Sequence, residues 1–427
     1  MNYQQMTPQQ LQAERESLLT KYEAYKAMNL KLDMSRGKPC TEQLNLSNAM
    51  FDILSSSSTY QTEQGFDCRN YGLLDGIPEC KKLFADLLEV TPDMVMVGGN
   101  SSLNMMFDTI ACMMTTPIEE GCKAWYEVQD RKFLCPVPGY DRHFAVTEYF
   151  GFQMINIPMN SDGPDMDMIE SLVSQDDTIK GIWCVPKYSN PQGITYSDEV
   201  VRRFANLKPK AKDFRIMWDN AYCVHDLTDT PDKLLNIIDE CKSTGNINLP
   251  ICFCSTSKIS FPGSGVAAMA SSLQNMKVFK DRYKWQTIGY DKLNMLRHMV
   301  FFKDIDGIRT QMRKHREVLE PRFNIVLSKL DENLKDNNFA VWTKPNGGYF
   351  VSIDVMNGTA KKVVSMCKDA GVVMTGAGAT YPYGIDPNDS NIRIAPTYPT
   401  IDELGSAMDI FCVCAKLAAV EKLLENI

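Results

Sequence analysis

The sequence has no Cys-x-x-Cys pair among its 14 cysteines, so no zinc site of the usual spacing is expected. The cysteines are scattered, and several sit in apolar segments, as Cys252, Cys254, Cys412 and Cys414 do. Free buried thiols of this kind fit a reducing cytoplasm better than a disulfide framework. There is no lysine or arginine run longer than two residues, and the formal net charge is −8. A nucleic-acid partner is therefore not expected. Long apolar runs are missing too. Residues 410–420 are the most apolar late stretch, but Lys416 interrupts them, and a bilayer span takes about 20 residues. The chain is polar and charged from Gln9 to Lys21, without the apolar core of a signal peptide. No membrane partner is expected. Tandem repeats, low-complexity tracts and charged tails are absent. What is present is ordinary: 427 residues, 44% hydrophobic and 23% charged. At roughly 100–200 residues per domain, two or three domains are expected.

Thr7-Pro8 reads as an N-cap followed by proline at the first helical position. Leu11, Leu18, Tyr22 and Tyr25 recur at helical spacing and predict an amphipathic helix over 8–28. Ser35-Arg36-Gly37-Lys38-Pro39 breaks the chain, and 76–90 predicts a second helix. Then the pattern changes. Short apolar runs at 94–97, 181–185, 215–218, 251–254 and 266–270 alternate with helical segments at 102–114, 165–174, 197–205 and 233–241. Continuous apolar runs suit strands buried on both faces, and the alternation suits an α/β layer fold with a mainly parallel sheet flanked by helices. From residue 304 the pattern shifts again, to a long helix over 308–334, strands at 340–342, 349–353 and 391–394, and a terminal helix over 401–424. The expected division is a large α/β domain at 61–303 and a smaller, discontinuous α+β domain from 1–60 and 304–427. Residues 378–390, rich in Gly, Pro, Tyr and Asp, predict a surface loop.

Ligands of open α/β sheets bind at the carboxyl ends of strands, so the residues just past each apolar run carry the most information. The run at 251–254 leads into Ser255-Thr256-Ser257-Lys258. A lysine there is either a solvated loop residue or a desolvated amine able to form a Schiff base. The run at 215–218 leads into Asp219-Asn220-Ala221-Tyr222. Asp219 is either a helix N-cap or a buried carboxylate that needs a cationic partner, such as a protonated pyridine nitrogen. After 181–185 comes Pro186-Lys187-Tyr188-Ser189-Asn190-Pro191-Gln192-Gly193, a turn that also offers the Asn190 amide to a ligand oxygen. After 94–97 come Gly98-Gly99-Asn100-Ser101-Ser102 and a helix, a capped start or an anion site. The Walker pattern is absent. Gly263-Ser264-Gly265-Val266-Ala267-Ala268 has the loose spacing of a dinucleotide fingerprint but no strand directly before it. Last, Arg393 lies inside the apolar strand 391–394, where it wants a carboxylate from a ligand or from the protein itself.

The ordered set resembles the fold-type I, pyridoxal 5′-phosphate (PLP)-dependent aminotransferases over nearly the whole chain, from about Leu30 onward. Ser35-Arg36-Gly37-Lys38-Pro39, Gly99-Asn100-Ser101-Ser102-Leu103, Thr256-Ser257-Lys258 and Asp291-Lys292-Leu293-Asn294-Met295-Leu296-Arg297-His298 are similar to the subgroup called aspartate aminotransferase type Ic. The resemblance implies that Lys258 holds PLP as a Schiff base and later moves the substrate proton. It implies that Asp219 pairs with the pyridinium nitrogen, keeping the ring an electron acceptor. Tyr222 and Asn190 would donate to the ring hydroxyl oxygen, and Tyr140 would stack on the ring. Asn100, Ser101, Ser102, Ser255 and Ser257 would bind the phosphate, joined by Tyr71 from a neighbouring subunit, which implies a homodimer with shared sites. Arg393 would clamp the substrate α-carboxylate, with the Gly37 backbone and Asn190 beside it. The implied reaction exchanges an amino group between an amino acid, aspartate or another dicarboxylic one, and a 2-oxo acid such as 2-oxoglutarate. Arg36, Lys38, Arg142, Arg297 and Lys344 are the candidates for a distal substrate carboxylate.

One departure stands out. The family pattern runs from the lysine to Pro-Gly-x-Arg-x-Gly, with that arginine on the phosphate. Here the loop is Pro262-Gly263-Ser264-Gly265, one residue shorter and without the arginine. Ser260 and Ser264 are candidate substitutes. A PLP-dependent C–S β-lyase is the alternative reading, since the same carbanion serves both reactions. A PLP-binding regulator is a third, weakened by the lack of a basic helical segment before Leu30.

Overall fold

The computed structural model describes residues 2–425. Its centre is an eight-stranded sheet of β2 (Val95–Val97), β3 (Lys132–Val137), β4 (Gln153–Asn160), β5 (Gly163–Pro164), β6 (Ile179–Cys184), β7 (Arg215–Asp219), β8 (Pro250–Ser255) and β9 (Ala267–Ser271). An earlier strand, β1 (Leu32–Met34), lies outside it. The order across the sheet is β2-β9-β8-β7-β6-β3-β4-β5. The strands from β8 to β4 are mutually parallel, while β9 runs against both β8 and β2. β2 therefore points the same way as β8. The chain leaves β2, β6, β7 and β8 on one edge, which brings together the four strand-end segments singled out above.

β6, β7 and most of β8 are buried along their length, as strands covered by helices on both faces must be. Apolar side chains beneath and above the sheet form two clusters, one around Ile182, Phe204 and Trp218, the other around Phe133, Trp183 and Met217. A third cluster joins the two ends of the chain. The Pro8–Ala27 helix packs there with the Ile305–Leu334 and Ile401–Glu425 helices, contributing Leu11, Leu18 and Tyr22. Three further strands, β10 (Val341–Trp342), β11 (Val351–Asp354) and β13 (Asn391–Ile394), form an antiparallel sheet in which Arg393 stands opposite Ser352. β12 (Val372–Met374) pairs in parallel with β1.

The first helix starts where expected. Thr7 accepts from the Gln10 amide, and Gln10 returns a bond to the Thr7 amide, a reciprocal cap. The helix expected at 233–241 instead begins at Ile237, because the Asn236 side chain accepts from the Ile238 and Asp239 amides and fixes the start there. The strands β3 and β4 carry Pro136 and Pro158 and gave no clean sequence signal. Residues 378–390 are not a plain surface loop. The buried Asp386 carboxylate accepts from the Asn388, Ser390 and Asn391 amides and ties the segment down. Among the described residues no helix is long and apolar enough to cross a membrane.

Candidate active site

A cleft of about 580 Å³ opens at the shared edge of the sheet. Ser101 and Ser102, at the start of the Ser102–Thr115 helix, lie at one end with Ser255 and Ser257 from the β8 exit. Asp219 and Tyr222 come from the β7 exit, Asn190 from the β6 exit and Tyr140 from the β3 exit. Arg393 and Gly37 enter from the second sheet and the N-terminal segment. Segments far apart in sequence thus meet because the sheet aims them at one place.

Lys258 projects into this cleft and is half-buried. Burial pulls its amine below the ordinary lysine range, and the Asp219 carboxylate acts in the opposite direction. Its Nζ lies 4.8 Å from the centre of the Tyr222 ring and 5.7 Å from that of Tyr349. A desolvated amine pushed towards neutrality is a nucleophile towards carbonyl carbon.

Asp219 is 3% exposed, which is too buried for an unpaired carboxylate to be tolerated without compensation. Oδ2 lies 2.9 Å from His143 Nε2, whereas Oδ1 is buried without any partner. His143 is held flat against Trp183, ring centres 4.3 Å apart, and meets Tyr140 edge-on. Such a carboxylate, braced on one oxygen and open on the other, fits a protonated ring nitrogen. His143 was not a sequence candidate. It is a lone histidine one helical turn from Tyr140, and only the fold brings it under β7.

Arg393 Nη1 donates to Asn190 Oδ1 and Asp141 Oδ1, each at 3.1 Å, and Nη2 reaches Thr375 Oγ1 at 3.4 Å. Because Asn190 spends its oxygen on Arg393, its amide NH₂ is the end left for another acceptor. The guanidinium also lies 4.8 Å above the Phe350 ring. Gly37 packs so closely on Phe350 that any side chain at 37 would collide with the ring. Backbone, not side chain, therefore faces the cleft at that position.

Two expected residues do not line the cleft of this chain. Asn100 lies at its rim, donating to the Pro262 carbonyl at 3.3 Å while its own carbonyl accepts from Ser257 Oγ at 3.1 Å. Tyr71 is 78% exposed and points away from the body of the chain. Of the candidates for a distal carboxylate, Arg36, Lys38 and Arg142 line the cleft. Lys344 is bound instead to Asp331 at 2.7 Å, and Arg297 lies behind the loop that follows Lys258.

Two histidines brace that loop. Ser260 Oγ lies 2.8 Å from His298 Nε2, and His298 Nδ1 lies 2.8 Å from the Asn294 carbonyl. His315 Nε2 sits 3.0 Å from the Ile259 carbonyl, with Gln43 at its other nitrogen. Burial depresses both rings to about 4, each opposed by its backbone hydrogen bond. Both are neutral in the folded protein where an unfolded histidine is taking up a proton. The stability they protect is thus full above the unfolded value of about 6.5 and falls as the pH drops towards 4. Between about pH 7 and about pH 5 the loss is up to about 2 kcal/mol for each ring. Urea titrations at the two pH values measure it, and His298→Gln should flatten the dependence. An unchanged slope in that variant refutes the assignment to His298.

A family model described as aspartate amino-transferase matches residues 6–426. A protein of Mycolicibacterium smegmatis, described only at the level of an aminotransferase, is 46% identical over 99% of both chains. The aspartate aminotransferase of Corynebacterium glutamicum is 44% identical over 95% of this chain and 94% of its own. The crystal structure of an aspartate transaminase from that organism superposes with a TM-score of 0.96, at 42% identity and 99% coverage of each chain. A desolvated lysine facing a half-satisfied aspartate and a carboxylate-binding arginine is thus found in a chain that belongs to the aspartate aminotransferase family, fold-type I enzymes that move amino groups between amino acids and 2-oxo acids.

Proposed function

We propose that Lys258 carries PLP and that the enzyme exchanges the amino group between aspartate and 2-oxoglutarate. The observation that carries this reading is the unpartnered Asp219 Oδ1, buried in the same cleft as the desolvated Lys258 amine. The bound cofactor would supply an electron sink for the pair released when the substrate Cα–H bond breaks. The rest falls to the protein. Lys258 would hold the cofactor through its amine and would serve as the base that moves the proton at the substrate Cα. Asp219, held by His143, keeps the ring nitrogen protonated. Tyr222 and the Asn190 amide donate to the ring oxygen, and Tyr140 covers the ring face. Ser101, Ser102, Ser255 and Ser257 hold the phosphate, with Asn100 fixing the rim.

Arg393 would take the substrate α-carboxylate between its two forks, beside the bare Gly37 backbone. Asp141 already occupies one of those donors, so the substrate must compete with it. Arg36, Lys38 and Arg142 are then available to a distal carboxylate, which favours a dicarboxylic donor. The 44% identical aspartate aminotransferase supports the same substrate class.

Tyr71 would complete the phosphate site of a second copy in a homodimer. Tyr71, Trp285 and Ile288 are all exposed, and the backbone beside Tyr71 packs closely at Gly289, where a Cβ would lie 2.5 Å from the Gly72 carbonyl. We assign the cofactor unit to 61–303 and the second unit to 1–60 with 304–427, in keeping with the apolar cluster that joins the chain ends. The free thiols, 12 of the 14 buried, agree with a cytoplasmic site of action.

The test is a two-stage reaction. Aspartate alone should bleach the visible band of the PLP-loaded enzyme and release one equivalent of 2-oxo acid; added 2-oxoglutarate should restore it. Continued release of 2-oxo acid and ammonia without an acceptor would instead make the protein a lyase.

A further inference from the structure

The serines at the phosphate end of the cleft are neutral donors, and the turn that carries the family's phosphate arginine is short and lacks it. We infer that Arg297, from the Lys292–Phe302 helix, supplies the missing positive charge at the phosphate end, acting on the phosphate together with Ser264. This rests on the PLP reading above.

Three residues of that helix grip the loop after Lys258. Asn294 Nδ2 donates to the Ser264 and Gly265 carbonyls at 3.2 and 2.8 Å. His298 holds Ser260, as described. Arg297 Nη2 lies 2.5 Å from both Ser264 Oγ and Asn294 Oδ1. At Gly265 the loop has little room for a side chain: a Cβ there would lie 3.2 Å from the Ser257 amide and 3.3 Å from the Asn100 carbonyl, whereas Gly263 has open space around it. The loop's own residues 262–265 carry no charge, and Arg297 is the cation bonded to it from the layer behind.

The partners of Arg297 make the stronger argument. The three buried arginines are matched to carboxylates: Arg215 to Glu119, Arg322 to Glu42 and Arg393 to Asp141; Arg297 is half-buried, as are Arg131 and Arg282, which also lack a carboxylate partner. Arg297 makes no ion pair among the described residues, and its Nε is buried without a partner. A partly buried cation facing only neutral oxygens is an unbalanced charge, and a dianion one residue away would balance it. Ser264 Oγ accepts from Arg297 and donates to Asn294 Oδ1 at 3.4 Å, a long bond that its hydroxyl can exchange for a phosphate oxygen. The remaining cleft cations, Arg36, Lys38 and Arg142, belong to the segments of Gly37 and Asp141, which meet Phe350 and Arg393.

The experiment compares PLP with pyridoxal, which lacks the phosphate, on cofactor-free protein, read as the dissociation constant from the visible band. Arg297→Gln should weaken PLP roughly 10- to 100-fold, the worth of a charge-assisted hydrogen bond, and leave pyridoxal within about twofold. Arg297→Lys should recover part of the loss, and Ser264→Ala should lose roughly 3- to 10-fold for PLP alone. The ratio of the two affinities remains readable in a variant that folds less well. Parallel loss of both ligands, or loss of neither, overturns the assignment of Arg297 while leaving PLP in place. A wild-type protein that forms no band with either ligand overturns the PLP reading, and this inference with it.

Discussion

Lys258→Ala should lose amino-group transfer almost entirely, with kcat lower by on the order of 10⁴-fold or more. The residue is asked to do two jobs, anchoring the cofactor and moving the proton, and alanine does neither. No other amine substitutes, because the cations that share the cleft belong to the segments of Gly37 and Asp141, which meet Phe350 and Arg393. Protein stability should not follow activity. The wild-type chain bears the desolvation of the Lys258 amine, so the cofactor-free variant should melt within about 4 °C of the wild type. Initial rates at saturating aspartate and 2-oxoglutarate, set beside a melting curve, measure both. A folded variant that keeps a tenth of the activity would remove Lys258 from the mechanism.

Asp219→Asn should lower the rate by roughly 10²- to 10⁴-fold, the equivalent of breaking one buried charge pair at about 3–5 kcal/mol. The asparagine has the same shape and can still reach His143, so the change is mainly one of charge. Without the carboxylate the ring nitrogen has no reason to stay protonated, and the electron sink weakens. Binding of the phosphate end should be spared. The measurement is the single-turnover bleaching rate with aspartate beside the PLP dissociation constant. A normal bleaching rate would mean that the open Oδ1 oxygen serves packing, not the cofactor.

How far the sequence reveals this arrangement depends on the kind of signal each residue carries. Asp219 directly follows an apolar run and Lys258 follows one after Ser255-Thr256-Ser257, and a charged residue just past a buried strand stands out. Arg393 is legible for the same reason, a cation within a buried strand. The parallel core is legible because strands buried on both faces need no alternation. The strands β3 and β4 are not, because proline blurs the pattern in each. His143 escapes because its meaning lies in a neighbour 76 positions away; nothing local marks it. Tyr140 sits nearby and is reached only through the family resemblance. Asn100 shows the limit in the other direction. Its segment reads as a capped helix start or an anion site, while its side chain holds the loop at Pro262 and does not line the cleft. The phrase from Asp291 to His298 was conspicuous as a phrase. The structure gives it a purpose, since Asn294, Arg297 and His298 all hold the loop that follows Lys258.

The pairing of β1 with β12 joins Leu32–Met34 to Val372–Met374, and this governs the order in which a ribosome can deliver a working site. Synthesis of the first 303 residues completes the large sheet and presents Lys258, but the carboxylate clamp has not yet been made. The N-terminal strand and helix wait, their apolar faces uncovered, until the last tenth of the chain emerges with Arg393 and the terminal helix. Closing such distant contacts late is slow and leaves sticky surface exposed meanwhile. A nascent chain stalled before residue 372 should therefore already react with PLP at its lysine yet cling to chaperones, and should release them only when the final helix is free of the exit tunnel.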